Sequence, residues 1–91
     1  MFLLEYIKNP STIGAVAPSS KYLAEGMMES IDFSTARCIV EYGPGTGVFT
    51  EKILARAKEE TKVILIELNV EFYNELKKKY GYKNNVIIIL N

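Results

Sequence analysis

Ile39–Thr50 reads IVEYGPGTGVFT, and the fold turns on it. A short apolar run ends in a carboxylate, crosses glycines at 43, 45 and 47, and enters a stretch with apolar positions at helical spacing. Strand, glycine turn and helix in that order make a ligand-binding βα unit. Glycine lets the backbone approach a ligand, and the start of a helix offers unpaired N–H groups and a positive dipole end. Phosphate is the usual ligand of such a loop, but two features argue against it here. The dinucleotide fingerprint is G-x-G-x-x-G, whereas Gly43, Gly45 and Gly47 give G-x-G-x-G, with Val48 at the third fingerprint position. There is also no G-K-[S/T] of a Walker loop.

Glu41 adds a physical objection. A carboxylate two residues before the first glycine repels a pyrophosphate and attracts a cation. A second acidic residue, Glu67, ends the next apolar run, 20 residues after Gly47. From the end of that strand an acidic side chain can accept hydrogen bonds from two ribose hydroxyls. The loop therefore suits a ligand with a ribose, an adenine and a positive charge in place of phosphates. S-adenosylmethionine, with its sulfonium and α-ammonium, has all three. The plain alternative is a structural glycine turn beside a solvated Glu67.

Outward from the loop, Arg37–Tyr42, Lys62–Leu68 and Asn85–Leu90 are short apolar runs with little alternation, as expected of parallel strands covered on both faces. Between them, Phe49, Ile53, Leu54 and Ala57 mark one helix, and Phe72, Leu76 and Tyr80 another. In the second, Glu75 and Lys79 are spaced to pair, Lys77–Lys79 read as a solvated face, and Gly81 is the expected C′ residue. Upstream, Phe2, Leu3, Tyr6 and Ile7 fall on one face of a helix over residues 2–8, ended by Pro10. STIGAVAPSS reads as a loop, with Ser19 and Ser20 offering an N-cap. Leu23, Met27, Met28 and Ile31 then form the inner face of a further helix. The expected organisation is one partial domain over 1–91, with a helical segment over 1–34 and a half-sheet over 35–91. The expected fold class is α/β: a three-layer Rossmann-like parallel sheet of about three strands.

Composition narrows the chemistry. With 91 residues the chain is one small domain, burying only about 60–65% of the surface exposed when unfolded. Lys plus Arg and Asp plus Glu are both 11, so no net positive charge argues for a nucleic-acid partner. There is no histidine, which removes imidazole bases, Ser-His-Asp triads and most zinc sites; no metal is expected. Cys38, the single cysteine, lies in an apolar run and reads as a small core hydrophobe in a reducing, cytoplasmic protein. No run approaches the ~18 apolar residues of a membrane span. The start carries Glu5 and is too short for a signal peptide.

VEYGPGTGVFTEKIL followed by VILIELNVEFYNEL resembles motif I and the next acidic strand end of class I S-adenosylmethionine-dependent methyltransferases. EYGPGTG with a following Thr50 is shared by the rRNA adenine dimethyltransferases and the bacterial phospholipid N-methyltransferases. NPSTIGAVAPSSKYLAEGM resembles the phospholipid branch, and the Gln-Asn-Phe-Leu segment usual in the rRNA branch is missing. The resemblance covers the front half of the family's seven-stranded domain. It implies Glu41, Gly43, Gly45 and Gly47 at the methionine moiety, Glu67 at the ribose and Leu68 against the adenine. Ser19 and Ser20 take a place over the site. No catalytic residue is assigned; the resemblance places the acceptor-choosing residues beyond Asn91.

The expected function is methyl transfer to a phospholipid amine such as phosphatidylethanolamine. An rRNA adenine acceptor is the second reading, and a non-catalytic cofactor-binding or self-associating fragment the third. The apolar face of residues 2–8 could lie on a bilayer at the inner membrane face, although packing on the protein's own sheet is the stronger reading. A half-sheet should also leave the strand at Arg37–Tyr42 with an open apolar edge, so a homodimer or larger homo-oligomer through that edge is expected.

Overall fold

The computed structural model describes residues 3–9, 12–16, 29 and 31–91. In chain order its elements are β1 (Leu3–Asn9), β2 (Thr12–Val16), β3 (Cys38–Tyr42), α1 (Val48–Arg56), β4 (Lys62–Glu67), α2 (Val70–Tyr80) and β5 (Val86–Leu90). They build one five-stranded sheet of order β2-β1-β3-β4-β5. β3, β4 and β5 run parallel, with Ile39 opposite Val63 and Val63 opposite Val86. These are the three expected strands, joined through the two expected helices.

Alternation and register put Ile39, Glu41, Val63, Leu65, Glu67, Val86 and Ile88 on one face of the parallel strands. Ile53 of α1 and Leu76 of α2 share a buried cluster with Ile39, Val63, Leu65 and Val86, so both helices cover that face. Ile31, Phe33 and Ala36 join the same cluster from the segment leading into β3. The Thr61 hydroxyl donates to the Ala36 carbonyl at 2.9 Å and Asn85 Nδ2 donates to the Thr61 carbonyl at 3.1 Å, closing the end of the sheet away from the glycines. The second face carries Val40, Tyr42, Ile64, Ile66, Ile87 and Ile89, all half-buried or exposed. Among the described residues, then, helices form a layer on one face only.

The N-terminal expectation is corrected. Residues 3–9 form a strand and not a helix, paired antiparallel to β2 on one side and to β3 on the other. Residues 12–16, read as loop, are its hairpin partner. A seven-residue apolar pattern cannot separate the two states, and the unpaired N–H and C=O groups along β3 favour a strand that can satisfy them. Two expectations lose their basis. The bilayer-facing helix over residues 2–8 does not form, and the edge of β3 expected to drive self-association is occupied by β1. The helix expected to follow Ser19 and Ser20, with Leu23, Met27 and Met28, lies outside the described residues.

Smaller departures follow from local packing. Gly81 is a C-cap in the right-handed region (φ −63°), not a left-handed C′ residue. A Cβ there would stand 2.5 Å from the Lys77 carbonyl oxygen, so close approach accounts for the glycine. Lys79, spaced to pair with Glu75, donates instead to the Thr46 carbonyl at 3.0 Å. Cys38 is half-buried, and burial raises the pKa of its thiol while Lys62 opposes the rise.

Candidate cofactor site

The loop leaving β3 takes its shape from three left-handed glycines: Gly43 (φ 69°), Gly45 (φ 60°) and Gly47 (φ 90°). Larger L-residues resist that region because Cβ crowds the following carbonyl. Gly47 has a second reason to be glycine. It caps α1, and a Cβ there would lie 3.3 Å from the Tyr80 ring and 3.4 Å from Leu76 of α2. The amide hydrogens of all three glycines are satisfied within the protein. Gly43 donates to the Ile66 carbonyl at 2.8 Å, Gly45 to Glu67 Oε1 at 2.8 Å, and Gly47 to the Pro44 carbonyl at 3.0 Å. A phosphate cradle needs such amides turned toward its ligand. This loop turns them inward.

Glu67, at the end of β4, is 5% exposed. Its Oε1 holds the Gly45 amide, and its Oε2 accepts the Asn69 amide at 2.8 Å. A carboxylate oxygen accepts two hydrogen bonds. Each of these oxygens therefore keeps one acceptor position beyond the backbone it already holds. Asn69 in turn caps α2, its Oδ1 accepting the Glu71 and Phe72 amides at 2.9 and 3.0 Å. One carboxylate thus ties the glycine loop to the start of the next helix.

Glu41 is fully buried behind the loop. Its Oε1 accepts the Thr50 hydroxyl, from the first turn of α1, at 2.6 Å. Its Oε2 has no partner. Burial raises the Glu41 pKa to about 7; the Thr50 hydrogen bond pulls it down, and the Glu67 charge adds to the rise. Replacing Thr50 with Val keeps the side-chain shape and removes that hydrogen bond. We expect Thr50→Val to cost about 1–3 kcal/mol in urea unfolding at pH 8 and to raise the Glu41 pKa further. Unchanged stability at pH 8 would show that the hydroxyl does not support the carboxylate.

A cleft of about 710 Å³ opens at the C-terminal ends of β3 and β4, lined by residues that include Gly43, Gly45, Glu67, Leu68 and Phe72. Of the six residues expected at the site, Gly43, Gly45, Glu67 and Leu68 meet there. Gly47 lies at the cap of α1, and Glu41 behind the loop. Ser19 and Ser20 lie outside the described residues. Sequence reasoning missed Thr50 as the partner of Glu41, Asn69 as the link from Glu67 to α2, and Lys79 and Tyr80 as the supports of Thr46 and Gly47. Only Asn69 left a signal, an N-cap residue just before the apolar positions of a helix.

A strand-end carboxylate with free acceptor positions, beside a loop whose three glycine amides are held within the protein, fits a ribose-bearing ligand without phosphates. Comparison with known proteins agrees. The model of the ribosomal RNA adenine dimethylase family matches residues 6–91. The chain belongs to that family. Ribosomal RNA adenine dimethylases are class I S-adenosylmethionine-dependent methyltransferases. Within curated relatives, this dimethylase-family chain is 30% identical over 89 residues to the ornithine lipid N-methyltransferase of Singulisphaera acidiphila, covering 98% of this chain and 46% of that protein. It is 34% identical over 74 residues to ribosomal RNA small subunit methyltransferase A of a Hydrogenobaculum species, covering 81% of this chain and 29% of that protein. A dimethyladenosine transferase of Yarrowia lipolytica is 35% identical over 57 residues, or 63% of this chain and 17% of that protein. The chain therefore spans about half or less of the length of these relatives. No solved structure matches it.

Proposed function

We propose that this chain is the donor-binding part of an S-adenosylmethionine-dependent N-methyltransferase whose acceptor is the amine of a lipid headgroup. The observation that carries the donor is Glu67, held at the cleft by two backbone amides with acceptor positions left for two hydroxyls. In this reading Glu67 takes the ribose, Leu68 flanks the adenine, and Gly43 and Gly45 line the approach of the methionine part. Glu41 supplies negative charge behind the loop. Bound there, S-adenosylmethionine supplies an electrophilic methyl group on sulfur. The chain's own contribution is to fix the donor's orientation and to limit water around it. An amine acceptor can lose its proton to solvent, so the reading does not require a general base from these residues.

The lipid acceptor is supported by the match to the ornithine lipid N-methyltransferase, which takes in 98% of the chain. The family model and the match to ribosomal RNA small subunit methyltransferase A favour a second reading, an adenine in RNA. Two measurements test the proposal. Calorimetric titration should show binding of S-adenosylmethionine and none of NAD; binding of NAD alone would sink the donor assignment. Labelled-methyl transfer to phosphatidylethanolamine and to ribosomal RNA, assayed side by side, decides the acceptor. Label entering RNA and not lipid would replace the first reading with the second.

A further inference from the structure

Among the described residues, Glu41 Oε2 is the buried side-chain oxygen left without a hydrogen-bond partner. The side chain is fully enclosed, and its other oxygen accepts the Thr50 hydroxyl. The groups that act on it are neutral or negative. β4 sets Leu65 opposite it and adds the charge of Glu67, while β1 sets Leu4 at its other side. α1 brings Thr50, and α2 brings the Tyr80 phenol, which Glu41 and Glu51 together make harder to ionise. Lys79 of α2 is turned to the Thr46 carbonyl instead.

A buried carboxylate with a negative neighbour is costly to ionise, and burial accordingly raises its pKa to about 7. A positive charge in front of the glycine loop shifts that balance, because it favours the ionised form in a site of low dielectric. The linkage is reciprocal: a cation that draws the proton off Glu41 is itself held more tightly once the proton has gone. A neutral ligand of the same shape has no such effect.

We propose that Glu41 makes the cleft selective for the charge on the ligand's sulfur, so that the sulfonium donor is held and the neutral thioether left after methyl transfer is released. The inference rests on the donor reading given above. In the transfer the C–S bond breaks, its electron pair stays on sulfur, and the methyl carbon bonds the acceptor nitrogen, whose proton goes to solvent. The bound ligand thereby loses one positive charge, and Glu41 takes up a proton from solvent. The ribose and adenine are unchanged by the reaction, so contacts to them, Glu67 included, do not tell donor from product. A carboxylate that answers to charge does.

Calorimetric titration at pH 6.5, in buffers of different ionisation enthalpy, counts the protons exchanged on binding. S-adenosylmethionine should release about half a proton per site, and S-adenosylhomocysteine close to none. Sinefungin, with an ammonium where the donor has its sulfonium, should behave as the donor. From pH 5.5 to pH 7 the preference for donor over product should rise by about threefold or more. Glu41→Gln keeps an acceptor for Thr50 without an ionisable proton, so it should release none with either ligand and show a preference that ignores pH. Equal proton release by donor and product, or release that persists in Glu41→Gln, would overturn the proposal. The wild-type comparison alone decides it where the variant does not fold. Donor binding without proton release removes this role of Glu41 and leaves the donor reading standing. No binding of either nucleoside removes both.

Discussion

Replacing Glu67 with Ala should abolish measurable S-adenosylmethionine binding and lower stability by about 3 kcal/mol. Both effects come from one carboxylate. The Gly45 and Asn69 amides each lose a charged acceptor at 2.8 Å, and Glu67 is only 5% exposed, so water cannot readily replace it. A hydrogen bond to a charged group contributes about 1.5–3 kcal/mol, and an orphaned amide adds its desolvation cost. Partial relaxation of the loop recovers some of the sum. For a small domain, whose total stability lies near the lower end of about 5–15 kcal/mol, the alanine variant keeps only about 2 kcal/mol, which leaves a few per cent unfolded at about 25 °C. Glu67→Gln separates folding from binding. The amide oxygen keeps one backbone donor, while the NH₂ group faces the other and cannot accept a second hydroxyl. We expect Gln to retain most of the fold by circular dichroism and to bind S-adenosylmethionine at least tenfold more weakly. Wild-type affinity in a folded Gln variant would remove Glu67 from the ribose and leave it a purely structural clasp.

The parallel half of this protein could be read from its sequence because its signals are local. Cys38–Tyr42, Lys62–Glu67 and Val86–Leu90 are mostly apolar runs, and each precedes or follows a segment with helical spacing. The glycines and the two carboxylates stand within one βαβ unit, so their spacing alone placed Glu67 at a strand end beside the loop. The missed features depend on distant partners. Leu3, Tyr6 and Ile7 fit a helical face as well as a strand, and what decides between them is the open edge of β3, more than 30 residues away. Glu41 looked like a ligand-facing charge because the turn of the loop was unknown. Three left-handed glycines bring Thr50 back over it and leave it enclosed. Lys79 had a good partner in Glu75 by helix geometry, but α2 packs against the loop closely enough for the Thr46 carbonyl to take it. Local pattern sets the elements, and packing chooses among partners that pattern allows.

Glu41 yields the second large effect, and its sign runs opposite to that of an ordinary paired carboxylate. Burial raises its pKa from 4.5 to about 7 in the folded protein. Between those values the folded chain holds a proton that the unfolded chain has released, so stability falls as pH rises. The contribution is fully present below about pH 4.5, is lost through about pH 7, and is flat above. A separation of that size corresponds to about 3 kcal/mol. Other acids also titrate in this range, so the quantity to measure is the difference between wild type and Glu41→Gln, by urea unfolding from pH 4 to pH 8. Gln resembles the protonated acid in shape and can still accept from Thr50. The two proteins should therefore match near pH 4, and Glu41→Gln should be the more stable by about 3 kcal/mol at pH 8. Parallel curves across the range would show that folding does not shift the Glu41 pKa and that the buried carboxylate is ionised in the fold. The same series bears on the site. A cationic donor bound in front of the loop favours the ionised carboxylate behind it, so saturating S-adenosylmethionine should flatten the wild-type slope and leave the Gln variant unchanged. A slope that ignores the donor would make Glu41 a support for the loop through Thr50, with the positive charge of the donor recognised elsewhere in the cleft.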